Sequence, residues 1–105
     1  LLPAVIGCNA HVAGKKYAEL ARAAGIGGSA DTIAIRNLKN GLCRLRRELN
    51  LPETLLQAGI DPRSVWRQAG ELVETTLKDP CCDTNPMPVE GFLVRRILEE
   101  VTGHV

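Results

Sequence analysis

Ser29-Ala30-Asp31-Thr32-Ile33-Ala34-Ile35-Arg36-Asn37-Leu38-Lys39-Asn40-Gly41-Leu42-Cys43-Arg44-Leu45-Arg46-Arg47-Glu48-Leu49 is the stretch that decides the fold class. Ile35, Leu38, Leu42, Leu45 and Leu49 step by three and four, which is an apolar seam along one side of an α-helix. Ser29 is a suitable N-cap, and Asp31 in the first turn suits the positive end of the helix dipole. The helix is expected to run to about Leu49. Gly41 in its interior costs about 1 kcal/mol relative to Ala, and a neighbouring helix crossing closely there would explain its presence.

The same period recurs on both sides. Upstream, Val12, Tyr17, Leu20, Ala21 and Ala24 predict a helix from about Val12 or Ala13 to Ala24, closed by Gly25 as its C′ glycine. Leu1 to Cys8 reads as the tail of a further helix, with Pro3 in a first turn and Gly7 and Asn9 weakening the pattern. Downstream, Leu51-Pro52-Glu53-Thr54 starts a short helical turn that ends at Gly59. Asp61-Pro62 is an N-cap followed by proline at the first helical position. Val65, Trp66, Ala69, Leu72, Val73, Thr76 and Leu77 form the face of the helix that follows, and Pro80 stops it. Cys81 to Pro88 is a proline-bounded loop. The last helix is expected from about Val89 to Val101, with Phe92, Leu93, Ile97 and Val101 inward. No segment sustains period-two alternation. The expected fold is all-α: an irregular bundle of four to five helices, residues 1–105 forming a single helical domain.

Composition bounds the function. The chain of 105 residues is 45% apolar and 24% charged with a net charge of +1, and only 3% aromatic, so its core is aliphatic and its charge offers no general attraction for nucleic acid or an anionic membrane. The apolar run Leu1 to Ile6 is too short to span a bilayer and has no charged leader. The chain has no initiator Met and opens in mid-pattern, which reads as a fragment, a processed chain or an engineered boundary. Four cysteines, Cys8, Cys43, Cys81 and Cys82, occur without secretory features and are expected to be reduced thiols. They lack the paired spacing of a zinc site.

The candidates for chemistry are few. Gly25-Ile26-Gly27-Gly28-Ser29 is glycine-rich but follows a helix and lacks the Lys of a phosphate loop, so it reads as a helix end joined to a helix start. His11, in a linker, and His104, at the terminus, have no partners at metal spacing and read as solvated surface groups. Ser29 and Ser64 are helix-start residues. The basic pairs Lys15-Lys16, Arg46-Arg47 and Arg95-Arg96 are diluted by Glu and read as solvated helix faces. Cys81 stands in a loop that can reach a cleft. From the residues alone it reads as a small buried hydrophobe in a helix corner.

Asp79-Pro80-Cys81-Cys82-Asp83-Thr84-Asn85-Pro86 resembles the Asp-x-Cys-x-x-x-Asn-Pro junction before the last helix of the iron-dependent (group III) alcohol dehydrogenases. Leu1-Leu2-Pro3 with Asn9-Ala10, Tyr17-Ala18-Glu19-Leu20-Ala21, and Leu49-Asn50-Leu51-Pro52-Glu53-Thr54-Leu55 leading to Gly59-Ile60 match the same family in order. The resemblance implies the C-terminal helical part of an enzyme that interconverts alcohols and aldehydes by hydride transfer. It implies an N-terminal domain, absent here, that binds NAD(P). It also implies iron, or zinc, held by an Asp and three His on earlier helices, so that no catalytic, cofactor-binding or metal-binding residue falls on this chain. Cys81 matches a position near the family's substrate pocket and becomes the candidate pocket-lining residue.

The implied partners are the nucleotide-binding domain or subunit of the same enzyme and a small alcohol or aldehyde, with a homo-oligomer admissible, no nucleic acid and no membrane, in the cytoplasm. This chain alone is expected to be inactive. The alternative reading is a free-standing helical protein-interaction module without catalysis. A severed half is also expected to expose an apolar patch, first of all around Leu1-Leu2 and Ile6.

Overall fold

A computed structural model describes residues 1–103, so His104 lies outside the described residues. It is all-α: five α-helices, α1 (Leu2–Ala23), α2 (Asp31–Glu48), α3 (Pro62–Arg67), α4 (Ala69–Leu77) and α5 (Gly91–Thr102), with a 3₁₀ turn over Pro80–Thr84 and no strand among the described residues. None of these helices is long and apolar enough to cross a membrane. The chain divides into two units, Leu2–Leu51 and the chain from Pro52 onward.

The first unit is an antiparallel hairpin of α1 and α2. The two helices expected before Gly25 are two segments that abut within Leu2–Ala23, separated by a kink at Ala13, whose angles (φ −107°, ψ 20°) are non-helical. The adjacent Gly14 gives the turn little helix propensity to resist the kink. His11 therefore sits in a helix rather than a linker, on an exposed position. Ile6, Ala18, Ala21, Ala34 and Leu38 form the core, with Tyr17, Ile35 and Leu42 packed on it. Three alanines in five core positions allow the helices a close approach: a Cβ on Gly14 would stand 3.5 Å from Ile35 Cδ1. The expectation of an exposed patch is corrected at Ile6, which is only 4% exposed, whereas Leu1 and Leu2 are 69% and 55% exposed. Ile6 belongs to the same core cluster as Ala34 and Leu38 of α2.

The connection is built from backbone bonds. Gly25, at φ +76°, adopts the left-handed conformation that ends α1. Its N–H donates to the Arg22 carbonyl at 3.0 Å and the Ile26 N–H to the Ala21 carbonyl at 2.9 Å, the paired bonds of a Schellman cap. α2 begins at Asp31 with Ala30 as N-cap and no side-chain capping bond, so Ser29 does not cap it. Asp31 instead pairs with Arg22 across the loop at 2.8 Å. Asn37 Nδ2 donates to the Gly27 carbonyl at 3.1 Å. The neighbour of Gly41 is Ile26, whose Cδ1 lies 3.3 Å from where a Cβ would stand, so a loop side chain and not a crossing helix occupies that space. Along the apolar seam Leu38 is buried and Ile35 and Leu42 are half-buried. Leu45 and Leu49 are 51% and 59% exposed.

In the second unit, Thr54 to Gly59 forms the short helical turn expected, with the Ala58 N–H donating to the Thr54 carbonyl at 3.1 Å and the Gly59 N–H to the Leu56 carbonyl at 3.0 Å. The Gln57 N–H donates to Thr54 Oγ1 at 3.1 Å and the Glu53 N–H to Gln57 Oε1 at 2.8 Å, a reciprocal arrangement of the capping-box kind. The Leu55 N–H donates to the Val101 carbonyl at 2.7 Å, satisfying one of the orphan acceptors at the end of α5. Asp61 caps α3, accepting from the Arg63 N–H at 2.9 Å, and Pro62 fills the first helical position. Those interactions with Arg63 hold the Asp61 carboxyl below the ordinary Asp range. The single helix expected from Pro62 to Leu77 is broken at Gln68 (φ −104°, ψ 9°), where the N–H closes a tighter turn onto the Val65 carbonyl at 3.1 Å. Pro62, Val65, Ala69, Val73, Leu93 and Val94 are the buried apolar residues among those described in this unit. α4 and α5 pack where a Cβ on Gly91 would lie 3.5 Å from Val73 Cγ1. Phe92, expected inward, is 64% exposed, because Leu93 and Val94 take the buried stripe.

Candidate functional site

The turn between α4 and α5 carries the residue singled out by sequence. α4 ends at Leu77, and the Asp79 N–H closes onto the Thr76 carbonyl at 3.0 Å. Asp79 is the N-cap of the Pro80–Thr84 turn. Its Oδ1 accepts from the Cys81 N–H at 2.9 Å, its carbonyl accepts from the Cys82 N–H at 3.0 Å, and Pro80 stands where no donor is needed. What sequence read as a loop is thus a 3₁₀ helix. Asp-Pro starts it for the same reason that Asp61-Pro62 starts α3.

Each motif residue has a mechanical duty. Thr84 Oγ1 donates to the Cys81 carbonyl at 3.2 Å. The Asn85 N–H donates to the Cys82 carbonyl at 3.3 Å, and its Nδ2 donates to the Met87 carbonyl at 2.7 Å. Asn85 therefore ties the turn's exit to the Pro86-Met87-Pro88 strap. The two thiols diverge: Cys82 Sγ donates back to the Thr76 carbonyl at 3.1 Å, while Cys81 lies beside the Asp79 carboxylate.

Cys81 is exposed, which corrects the reading of a buried hydrophobe. A five-residue 3₁₀ turn has no inward stripe long enough to bury it. The Asp79 carboxylate accepts a hydrogen bond from the thiol and repels the thiolate, so the Cys81 pKa is raised above its ordinary value. Such a thiol is a weak donor and a small polarisable surface, and a poor nucleophile at neutral pH. The sequence reasoning missed Thr76 and Thr84. Thr84, three residues after Cys81 in a proline-led turn, was the legible signal.

The remaining candidates do not join this site. Ser64 Oγ donates to the Asp61 carbonyl at 2.7 Å, as a helix-start residue does. Gly25 to Ser29 is a helix end joined to a helix start. Among the described residues no three His, Cys, Asp or Glu side chains come together as a metal-binding group.

Residues 1–102 match the family model described as Fe-containing alcohol dehydrogenase family, C-terminal. Over 98 residues the chain is 24% identical to the NADPH-dependent butanol dehydrogenase of Clostridium saccharobutylicum. That similarity covers 93% of this chain and 25% of the relative, so the chain spans about a quarter of the relative's length.

Proposed function

The chain belongs to the Fe-containing alcohol dehydrogenase family, within its C-terminal domain, and from that premise we propose that it is the C-terminal helical portion of an NAD(P)- and metal-dependent alcohol dehydrogenase. The observation that carries this reading is the family match over residues 1–102, in a chain that spans a quarter of a butanol dehydrogenase. The complete enzyme would exchange a hydride between a small alcohol or aldehyde and a nicotinamide cofactor. Residues 1–105 would be one helical domain of it, with the nucleotide-binding domain and the metal-bearing helices supplied by other sequence.

Iron does not fit the residues present, because the described ones offer no group of three ligands. No chemical step is assigned to this chain through it. The role of the chain is to pack and to form a wall. Cys81 lines the substrate pocket in this reading: it is exposed, and Asp79 keeps its thiol protonated, so it presents an uncharged surface to a small alcohol. The exposed Leu1 and Leu2 supply apolar surface for the rest of the enzyme, to which they would dock. The four free thiols accord with a reducing compartment, the cytoplasm.

The test is to incubate the purified chain with iron, 1-butanol and NAD or NADP and to follow reduced nicotinamide by absorbance. No turnover and no retained iron are expected. Turnover by the chain alone would overturn the reading.

A further inference from the structure

We propose that a cleft beside the middle of α2 binds a small organic carboxylate, with Arg44 as the group that receives the anion. The cleft encloses about 410 Å³ and is lined by Ile26, Asn37, Asn40, Gly41 and Arg44, all within the unit Leu2–Leu51. Small-molecule sites start at roughly 300 Å³, so a ligand of a few carbon atoms is the right scale.

The geometry follows from helical spacing. Asn37, Asn40, Gly41 and Arg44 lie three and four residues apart and share one face of α2. Gly41 lets Ile26 settle against the helix as the apolar wall of the cleft: a Cβ there would press to 3.3 Å from Ile26 Cδ1. Ile26 is held over the helix by the cap at the end of α1, where its N–H donates to the Ala21 carbonyl at 2.9 Å. Asn37 is anchored by its bond to the Gly27 carbonyl at 3.1 Å, which orients the amide at the cleft wall.

The chemistry is that of a monoanion with an apolar body. The Asn40 amide and the Arg44 guanidinium have no hydrogen-bond or ion-pair partner among the described residues, and Glu48, one turn on, forms no ion pair with Arg44. Arg36, Lys39, Arg44, Arg46 and Arg47 outweigh Asp31 and Glu48 on this helix, and Asp31 is already engaged by Arg22 at 2.8 Å. The local field therefore draws anions. The planar guanidinium fork matches a carboxylate in two parallel bonds. Ile26, packed over Gly41, receives the aliphatic end. A phosphate would bring more charge than one free guanidinium answers and would leave the apolar wall unused.

The test is a two-dimensional NMR titration of the full chain with sodium butyrate, with inorganic phosphate and sodium chloride as parallel arms at matched ionic strength. Saturable butyrate shifts are expected at the Gly41 N–H and at the Asn37 and Asn40 side-chain amides, with no saturation by phosphate or chloride. Arg44→Gln should weaken binding by about tenfold or more, the loss of a charge-assisted pair. Arg44→Lys should weaken it as well, by removing the fork while keeping the charge, and Gly41→Ala by pushing Ile26 away from its place at the cleft wall. Arg44 is exposed, so its variants should keep the wild-type spectrum away from the cleft. If Arg44→Gln loses that spectrum, Arg44→Lys decides. The proposal is overturned by absence of saturation with butyrate, by equal saturation with phosphate, or by undiminished affinity in a folded Arg44 variant. The site lies within one unit and does not depend on the alcohol dehydrogenase reading, which its failure would leave standing.

Discussion

Replacing Gly28 with alanine should destabilise the α1–α2 hairpin although the backbone angles there do not demand glycine. A Cβ at Gly28 would lie 2.6 Å from the Ala34 N and 2.8 Å from the Ala34 Cα, both backbone atoms of the first turn of α2. Ordinary contact begins near 3.4 Å, so the loop or the helix must give by about 0.8 Å. Such movement strains the Arg22–Asp31 pair and the Asn37–Gly27 bond on either side. Overpacking of this kind costs about 1–3 kcal/mol. The lower chain entropy of unfolded alanine returns about 0.4–1 kcal/mol. The net loss is then about 1–2 kcal/mol, or roughly 1 M in urea midpoint for an m-value of about 1.5 kcal/mol/M. Because the chain has two units, the sharper assay is hydrogen exchange of the Ala18, Ala21 and Ala34 amides in rising urea. Gly70→Ala serves as the contrast: nothing stands within 4 Å of its added Cβ, and the helix propensity of alanine should stabilise α4 by up to about 1 kcal/mol. A Gly28→Ala midpoint at or above wild type would refute the close-approach argument.

Two further perturbations test the core and the turn. Leu38→Ala removes a core side chain that is 6% exposed and should cost about 2–5 kcal/mol, read as lost exchange protection in α1 and α2 together. Asp79→Asn keeps a capping oxygen but removes the carboxylate that raises the Cys81 pKa. The thiolate fraction should therefore rise at any pH below the wild-type pKa. Alkylation of Cys81 near pH 8, followed by mass spectrometry, should become faster than in wild type, and an unchanged rate would remove Asp79 as the cause.

The elements that depend on local chemistry were legible in the sequence. Asp61-Pro62 caps α3 as read, Gly25 ends α1 as read, and the three-four spacing of Ile35, Leu38 and Leu42 places α2. The all-α class and the family resemblance stand on the same residues. What could not be read depends on which neighbour arrives. The α3–α4 break at Gln68 leaves the apolar spacing intact on both sides and so casts no shadow on the pattern. Phe92 is apolar yet exposed, because Leu93 and Val94, one and two residues on, win the buried stripe. Gly41 faces a loop isoleucine, and only the folded loop could show that. At the candidate site, the Asp79 cap and the Asn85 bond belong to turn chemistry that residue types announce. The exposure of Cys81 depends on how briefly the 3₁₀ helix runs.

The short link between α1 and α2 also bears on how fast the first unit forms. The Arg22–Asp31 pair that spans it joins residues only nine apart, so closing the link costs little chain entropy before Ala18, Ala34 and Leu38 meet. Local helical contacts of this kind favour folding in the microsecond-to-millisecond range.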